Sequence, residues 1–417
     1  MTTATAQRPD PSDLLSPALV HDPYSYFERL RADHPIHWNE RHRGWMISRY
    51  ADVFDGFRDD RLTSNRLKQF RERRIAPEQQ ATIGRTLRIL ESWMVFQDNP
   101  EHRRLRSIVH KAFTPQVVAA LESDIRDLAR EQVETLVSRL EAEPDRPVDI
   151  LNEIAYEIPG PIICKMLGVP AEDRKKFVDW SEHISMLIGG FVDDTERYER
   201  AHKAVTALED YLNAIIEQAS PGDDNLMARL VEAEADGEKL TREEAIATGI
   251  LVLFGGNRTT SCMIANGVRA LMMHPEEADK LRNDPSLMNA AVEEIMRWEP
   301  HTKMTVRIVG QDFAWHGREL KAGQRVFLSP LSANRDPEMF EDPTRFVIGR
   351  QNSGRHLSFG TGIHLCLGMS LARLELRVVF AEFLRVLPRL QLVEPEGTWL
   401  PTLINRVQKQ LLVKARD

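Results

Sequence analysis

The feature that most constrains the fold is one long apolar segment near the middle of the chain. It begins at Thr241-Arg-Glu-Glu244, a spacing that predicts a capping box in which both side chains bind free backbone N–H groups. Apolar residues then continue at helical spacing to Met273, about 32 residues or roughly 48 Å of helix. Because a helix that is apolar on most sides must be buried, we expect the chain to build its interior around this segment.

Two adjacent glycines lie at the centre of this predicted helix. Gly255 and Gly256 open the string Gly255-Gly-Asn-Arg-Thr-Thr260. Each glycine inside a helix costs roughly 1 kcal/mol relative to alanine, so the pair needs a reason. Two interpretations stay open: a flat or bulky group presses against the backbone there, or another helix packs closely against it.

The rest of the chain reads as amphipathic helices with a smaller strand-rich part. We find no internal repeat and no low-complexity linker, so a mainly α fold with a small β portion is expected. Residues 1–20 are rich in Pro, Asp and Ser and predict a flexible arm, and residues 21–417 predict a single domain. Helices are predicted over 23–32, 119–140 and 195–220, a strand over 44–50 that pairs with 36–38, and further short strands over 312–328 and 410–414.

Charge and hydropathy exclude several classes of protein. The 417 residues carry 55 Lys+Arg against 63 Asp+Glu, a net charge of −8, which argues against nonspecific nucleic-acid binding. No run reaches the roughly 18 apolar residues of a transmembrane helix. The first residues lack the basic-then-apolar pattern of a signal peptide. We therefore expect a cytoplasmic protein that binds neither nucleic acid nor membrane.

The three cysteines are too few and too scattered for a disulfide framework. Cys164 and Cys262 read as buried thiols. Cys366 follows two glycines that allow a tight turn, and an apolar-periodic segment over 367–387 predicts that a helix begins directly after it. At a helix N-terminus, backbone N–H groups lower the pKa of a thiol and stabilise the thiolate. Such a shielded thiolate suits an axial ligand of iron.

The segment around Cys366 resembles the haem-binding loop of the cytochrome P450 superfamily. The pattern Phe-Gly-x-Gly-x-His-x-Cys-x-Gly is matched at every position, by Phe359, Gly360, Gly362, His364, Cys366 and Gly368. The resemblance implies heme b (iron protoporphyrin IX) as cofactor, Cys366 as its proximal thiolate ligand, and His364 as a contact to a haem propionate. It also implies the cytochrome P450 fold, a triangular helical body around a buried haem.

Further motifs follow in the order of that family, and the resemblance covers roughly residues 20–415. Glu294-Ile-Met-Arg297 matches the Glu-x-x-Arg element, whose side chains share one helix face and are implied to form a buried structural network. The segment from 98 to 106 implies His102 and Arg106 as propionate contacts, and Arg307 matches a further one. Gly255, Phe359 and Gly368 are implied to contact the haem.

The central helix departs from the family pattern Ala/Gly-Gly-x-Asp/Glu-Thr. Thr259 is kept and is implied to organise proton delivery, but Arg258 replaces the acid. Arginine does not shuttle protons at neutral pH. Three interpretations compete. Arg258 points outward into a salt bridge; or the enzyme uses peroxide or a reaction needing fewer protons, such as nitric oxide reduction; or Arg258 binds an acidic substrate.

The resemblance places a substrate pocket above the haem. Its expected wall residues are Trp93, Met94, Met186, Leu187, Phe254, Met304 and Ile404. A basic run near the family's entrance loop consists of Arg66, Lys68, Arg71, Arg73 and Arg74, interrupted by Glu72. Such a run is typical of a solvated helix face. An acidic or carrier-linked substrate is the alternative hypothesis.

The sequence thus predicts a haem-thiolate monooxygenase that inserts one oxygen atom of O2 into a small organic substrate, in secondary metabolism. Electrons are expected from a separate ferredoxin and ferredoxin reductase, docking near Arg104, Lys111, Arg355 and Arg373. An atypical haem-thiolate reaction and a non-catalytic haem sensor are the alternatives. A zinc site on His364-x-Cys366 is disfavoured because no second ligand pair has suitable spacing.

Overall fold

The computed structural model of the protein describes residues 12–68, 77–188, 196–219, 222–235 and 237–416. No helix of these segments is both long and apolar enough to cross a lipid bilayer. The α-helices are α1 Pro17–His21, α2 Tyr24–Asp33, α3 Tyr50–Gly56, α4 Pro77–Glu91, α5 Glu101–Ala112, α6 Pro115–Ala119, α7 Glu122–Ala142, α8 Pro159–Leu167, α9 Arg174–Ile188, α10 Arg197–Gln218, α11 Leu226–Glu232, α12 Arg242–Gly256, α13 Arg258–Met273, α14 Pro275–Asn283, α15 Met288–Trp298, α16 Pro330–Ala333 and α17 Met369–Leu384.

The strands are short and form small sheets. They are β1 Ile36–Asn39, β2 Gly44–Ile47, β3 Leu62–Thr63, β4 Val148–Asp149, β5 Glu234–Ala235, β6 Glu238–Lys239, β7 Thr305–Val309, β8 Phe313–Trp315, β9 Arg318–Leu320, β10 Arg325–Leu328, β11 Leu390–Leu392, β12 Thr398–Trp399, β13 Gln408–Gln410 and β14 Leu412–Ala415.

The largest sheet has the strand order β1-β2-β10-β7-β3. Strands β1 and β2 are antiparallel, with Ile36 opposite Ile47, so the predicted pairing of these segments is confirmed. Strand β10 runs parallel to β2 and antiparallel to β7. A second sheet has the order β11-β14-β4. The mainly α fold with a small β portion is confirmed.

The long central segment is two helices in line rather than one. Thr241 forms the predicted capping box with Glu244 at the start of α12. The helix breaks at Asn257, whose backbone angles are φ −83° and ψ −79°, and α13 begins at the next residue. Nearly every residue of α13 up to Leu271 is buried. The segment therefore lies in the interior as predicted, with an interruption at its centre.

Helix α17 lies between two apolar clusters and carries the cysteine loop to the interior. On one side Leu376, Val379 and Phe380 belong to a cluster that includes residues of α7, α13 and α15. On the other side Leu371 and Leu374 belong to a cluster that includes residues of α5, α8 and α12. Because α17 joins both clusters, the loop before it is held close to the break in the central helix.

The predicted N-terminal arm is wrong for the residues that the structure describes. Leu14 is completely buried, and it shares an apolar cluster with Leu19, Met46 and Phe327. These leucines cover one face of the large sheet, so the chain is packed from about residue 12 onward. Residues 1–11 of the predicted arm lie outside the described residues.

Candidate functional site

A large cavity separates the break in the central helix from the cysteine loop. Gly255 and Thr259 line it from the central helix, and Phe359, Cys366 and Gly368 line it from the loop. Its empty space is about 1280 Å³, counting the part that opens to solvent, and most of its wall is apolar. The structure thus brings together the predicted iron ligand and the predicted proton-organising threonine.

The cysteine loop has a backbone that its glycines make possible. Gly360 and Gly362 have φ of +67° and +73°, in the region that a side chain disfavours. The loop then turns so that the Cys366 N–H donates to the Phe359 carbonyl at 3.0 Å. Gly368 is the N-cap of α17. The thiol of Cys366 is left accessible from the cavity.

The pKa of Cys366 differs from the sequence expectation. Burial raises the pKa of the thiol above its ordinary value. The backbone N–H of Gly368 and the charges of Arg106 and Arg373 act in the opposite direction, but they do not outweigh burial. A coordinated metal cation deprotonates a thiol outright, so the arrangement is compatible with iron ligation.

Donors from three parts of the chain converge beside the loop. The rings of His102 and His364 lie 4.3 Å apart, and the charges of Arg106 and Arg307 act on both. Burial, together with these cations, lowers the pKa of His102 to about 4 and that of His364 to about 3. The Nε2 atom of His102 is buried without a hydrogen-bond partner. Such a set of donors fits the carboxylates of a bound group.

These observations meet the requirements of a haem site. A side-chain carbon added at Gly255 or Gly368 would meet no heavy atom within 4 Å, so both glycines leave open space on the cavity side. A flat apolar group can approach the backbone there. The thiol of Cys366, the unpartnered His102 nitrogen and the nearby arginines supply the polar ligands that an iron porphyrin with two carboxylates needs.

The two glycines of the central helix have different environments. A side-chain carbon at Gly256 would lie 2.4 Å from Cδ1 of Ile163 in α8. At Gly255 the same addition would enter the cavity. Both interpretations of the glycine pair are therefore seen, one at each residue: close helix packing at Gly256 and an open face for a bulky group at Gly255.

Arg258 points away from the cavity and pairs with a carboxylate. Its guanidinium forms a hydrogen-bonded ion pair with Glu182 of α9. The neighbouring Asn257 side chain donates to Ser181 of the same helix at 3.2 Å. This is the arrangement of the first interpretation, an outward salt bridge. Because the Arg258 charge is already matched by Glu182, it is not offered to an acidic substrate.

The Glu294–Arg297 pair is fully buried. Arg297 donates to the Glu294 carboxylate at 2.7 and 2.8 Å, and to the carbonyl oxygens of Asn334, Pro343 and Arg345 at 2.8–2.9 Å. Glu294 also accepts from the Val347 N–H at 2.8 Å. The pair thus ties α15 to the chain that leads to the cysteine loop.

Of the predicted pocket residues, Met94 lines the cavity. The others are described residues outside its lining: Trp93, Met186, Leu187, Phe254, Met304 and Ile404. The rings of Trp93 and Phe254 pack on each other, with centroids 5.2 Å apart. Met304 lies in the cluster under the large sheet, and the Ile404 carbonyl accepts its N–H at 3.0 Å. Trp93 and Met304 are buried in the protein interior, and Met186, Leu187, Phe254 and Ile404 are half-buried.

Most of the basic residues predicted to contact an electron donor already form ion pairs or hydrogen bonds within the protein. Arg104 pairs with Glu101 and Glu244, and Arg373 donates twice to Glu293. The remaining two are Lys111, which donates to the Glu234 carbonyl at 2.6 Å, and Arg355, which is exposed. Of the basic run near the entrance, Arg71, Arg73 and Arg74, with Glu72, lie outside the described residues.

Sequence reasoning missed several polar residues of the cavity wall, among them Thr260, His301 and Glu375. All three are buried, and the His301 Nδ1 and the Glu375 Oε1 have no hydrogen-bond partner. The sequence signal for Glu375 is a lone carboxylate within the apolar stretch Leu374-Glu-Leu376 of α17. A buried acid in such a stretch needs a partner or a function.

Comparison with known proteins gives one family. The family model described as "Cytochrome P450" matches residues 76–389. The vitamin D(3) 25-hydroxylase of Pseudonocardia autotrophica is 36% identical over 94% of this chain and 92% of its own. The methyl-branched lipid omega-hydroxylase of Mycobacterium tuberculosis is 35% identical over 87% of this chain and 82% of its own. The structure of P450BioI with acyl carrier protein bearing hexadec-9Z-enoic acid has a TM-score of 0.84, with 30% identity, covering 98% of this chain and 100% of that one.

Proposed function

Because the chain belongs to the cytochrome P450 family of haem-containing monooxygenases, we propose that it hydroxylates a large, mostly apolar, lipid-like substrate. The balance is R–H + O2 + two electrons + two protons, giving R–OH and water. The observation that carries the proposal is the Cys366 thiol, which faces an apolar cavity opposite the Thr259 hydroxyl at the break of the central helix.

Each part of the site has a separate task. When bound, the haem supplies the activation of dioxygen. Cys366 would hold its iron, and His102, Arg106, His364 and Arg307 would hold its carboxylates. The apolar wall excludes water and orients the carbon–hydrogen bond that is oxidised.

Thr259 lies in the first turn of α13, directly after the break in the central helix. Its hydroxyl donates to the Gly255 carbonyl across the break. The Thr259 oxygen lies at the cavity surface, where its lone pairs are free to accept a hydrogen bond from water or a substrate hydroxyl. The Thr259 hydroxyl group is thus located beside the cavity in which the proposed reaction consumes protons.

The substrate class rests on the cavity wall and on the relatives. The apolar part of the lining comes from several segments, among them Leu251 and Val252 of α12, Met263 of α13, and Leu371 and Leu376 of α17. The two relatives compared are named as hydroxylases of vitamin D(3) and of methyl-branched lipids, and the structural relative holds a fatty acyl chain on a carrier protein. An extended aliphatic or sterol-like molecule agrees with all of these.

A separate ferredoxin with its reductase is the proposed electron source. The outer side of the cysteine loop exposes Ile363, and Arg106 donates to its carbonyl at 3.0 Å. Arg58 is exposed and packs beside Gly362. The exposed Ile363, with Arg106 and Arg58 beside this part of the loop, supports docking of an acidic partner near the iron ligand.

Two measurements test the proposal. The first measurement is the substrate-induced spin shift of the haem-loaded protein. The probes are free hexadec-9Z-enoic acid, its methyl ester, the same acid linked to acyl carrier protein, and vitamin D(3). We expect response to at least one member, and product from that member with ferredoxin, reductase and NADPH. An equal spin shift with the free acid and with its ester would refute the hypothesis that the enzyme recognises an acidic substrate. A spin shift with the carrier-linked acid alone would support the carrier-linked substrate.

The control is Cys366→Ser, which should bind haem but lose the thiolate-type spectrum of the ferrous CO complex. If wild-type protein lacks that spectrum, the haem-thiolate assignment is wrong. If peroxide supports oxidation while reductant and O2 do not, the protein is a peroxide-driven enzyme. If ligands bind without sustained product formation, the sensor alternative is correct.

A further inference from the structure

An arginine packs against the cysteine loop from outside the cavity. The guanidinium of Arg373, in the second turn of α17, lies 5.0 Å from the centroid of the Phe359 ring. The carbonyl oxygen of Phe359 accepts the Cys366 N–H at 3.0 Å. Phe359 and Cys366 line the cavity and Arg373 does not. One aromatic residue thus connects this cation to the proposed iron ligand.

Glu293 of α15 fixes Arg373 in this place. Two guanidinium nitrogens of Arg373 donate to the two carboxyl oxygens of Glu293, at 2.6 and 2.7 Å. Such two-point pairing gives the cation a defined orientation. Burial acts to raise the pKa of Glu293, but His356 and Arg373 lower it to about 2. The carboxyl group is therefore ionised at neutral pH, and the ion pair is permanent.

The same carboxylate also contacts the chain that enters the loop. Nε2 of His356 lies 3.5 Å from Oε2 of Glu293. Because Nδ1 of His356 accepts the Ser358 N–H at 3.2 Å, the ring proton of a neutral His356 is on Nε2, which faces the carboxylate. The rings of His356 and Phe359 lie 5.6 Å apart. Glu293 therefore joins α15 both to the start of the loop and to α17.

The ion pair has its positive end toward Cys366. Burial raises the pKa of the Cys366 thiol, and the charge of Arg373 acts against that rise, whereas Glu293 makes no contribution. Arg106 acts in the same direction as Arg373, but in the proposed site its charge is matched by a haem carboxylate. A cation that favours a thiolate also favours an electron added to the iron that the thiolate binds, because both changes add negative charge.

This arrangement differs from that of a docking residue. The sequence predicted that Arg373 contacts an electron donor, but its side chain is 35% exposed and is held by two hydrogen bonds to Glu293. A docking cation has to be free to pair with a partner's carboxylate. The fixed geometry of Arg373 favours a task inside the protein.

We propose that Arg373, held by Glu293, raises the reduction potential of the haem iron by keeping a positive charge beside the Cys366 thiolate. The inference rests on the haem-thiolate site of the proposed function and not on its substrate. The step concerned is the transfer of one electron from the donor to ferric iron, which gives ferrous iron. Glu293 is a positioning residue, since it acts through Arg373.

The first test is a reductive titration of the haem-loaded protein with dithionite and redox dyes, without ferredoxin. Arg373→Gln should make the potential more negative, with a loss on the order of tenfold in the equilibrium constant for reduction, as expected for one charge at the effective dielectric constant of a protein. Glu293→Gln removes the opposite charge and should make the potential less negative.

Arg377→Gln is the matched control for the loss of a cation. Arg377 lies one turn further along α17 and pairs with Glu122 at 3.3 Å, and it makes no contribution to the pKa of Cys366. The reduction potential of Arg377→Gln should therefore equal that of wild type. An equal shift in Arg373→Gln and Arg377→Gln would overturn the inference, because the effect would then not depend on proximity to the thiolate.

The second test measures the infrared C–O stretching frequency of the ferrous CO complex. Without the cation the thiolate donates more electron density to the iron, so Arg373→Gln should lower this frequency and Glu293→Gln should raise it. If Arg373→Gln does not load haem, Arg373→Lys takes its place. Lysine keeps the charge but lacks the two-point pairing, so it should shift the potential and the frequency in the same direction by a smaller amount.

Three outcomes would contradict the inference. The first is a wild-type potential in Arg373→Gln while the thiolate-type CO spectrum is intact, and weaker ferredoxin binding in that variant would then assign Arg373 to docking. The second is a shift of the same sign in Arg373→Gln and Glu293→Gln, which a general disturbance of the loop produces. The third is a wild-type protein without the thiolate-type CO spectrum, which refutes the proposed function as well. Absence of hydroxylated product contradicts only the substrate class, because neither measurement uses a substrate.

Discussion

Adding one methyl group at each of the two adjacent glycines of the central helix should have opposite effects. In Gly256→Ala the new carbon would lie 2.4 Å from Cδ1 and 2.7 Å from Cγ1 of Ile163. Ile163 is buried in a well-packed cluster and has little room to move. Overpacking of this kind costs about 1–3 kcal/mol, and the helix propensity gained is at most about 1 kcal/mol. We expect net destabilisation of about 1–2 kcal/mol.

Gly255→Ala adds the same methyl group where no heavy atom lies within 4 Å. Its stability should equal or exceed that of wild type, because only the propensity gain of up to about 1 kcal/mol remains. The methyl group enters the cavity, however, at the surface that faces the proposed haem. The substrate-induced spin shift should therefore weaken in Gly255→Ala and persist in Gly256→Ala.

Urea unfolding of the haem-loaded variants, followed by far-UV circular dichroism, gives the two free-energy changes, and optical spectra give the binding effect. A double-mutant cycle locates the clash. Ile163→Val alone should cost about 0.5–1.5 kcal/mol, yet combined with Gly256→Ala it should cost less than the sum of the two. Strict additivity would refute the packing argument, and unchanged ligand spectra in Gly255→Ala would refute the cavity argument.

Three further changes test other parts of the structure. Arg258→Glu or Glu182→Arg alone puts like charges together and should lower the unfolding free energy by about 2 kcal/mol, whereas the double exchange should recover most of it in urea unfolding. Burial lowers the pKa of Lys303 from 10.5 to about 7, so the folded state binds fewer protons than the unfolded state between those values. The thermal midpoint of wild type should therefore rise with pH across this window relative to Lys303→Met; parallel curves would contradict the buried-lysine argument. Arg58→Glu should weaken ferredoxin-supported turnover and its salt dependence without changing the CO spectrum, and unchanged turnover at low salt would exclude Arg58 from the docking surface.

The elements that the sequence predicted well depend on residues close together in the chain. The capping box needs only Thr241 and Glu244, three residues apart. Likewise β1 and β2 are joined by a short turn, so their alternation and proximity suffice to predict the pairing. The fully buried Glu294–Arg297 pair is also local, one helical turn apart, although its burial came from the family resemblance. Contacts between residues that are close in the sequence can therefore be predicted from their spacing alone.

The errors come from contacts between distant segments. Arg104 looked free for an electron donor, but its partner Glu244 is 140 residues away in the chain. Met304 looked like a pocket residue, but it packs with Leu14 from the N-terminal segment. A single sequence gives the type of each residue and not its distant neighbour. The sequence also led us to expect a lowered pKa for the Cys366 thiol, whereas burial raises it. Burial depends on the whole fold and cannot be read from neighbouring residues.

The substitution at the helix break is best understood with the residues across from it. Returning Arg258 to glutamate would not by itself restore the pattern of the family, because Glu182 would then face a second buried carboxylate and raise its pKa. Only the exchange of both charges leaves the new acid beside a cation. In that background the helix has an acid next to Thr259, so Thr259→Ala should raise the fraction of oxygen uptake released as hydrogen peroxide more than it does in wild type. An equal rise in both backgrounds would mean that the new acid does not act through Thr259.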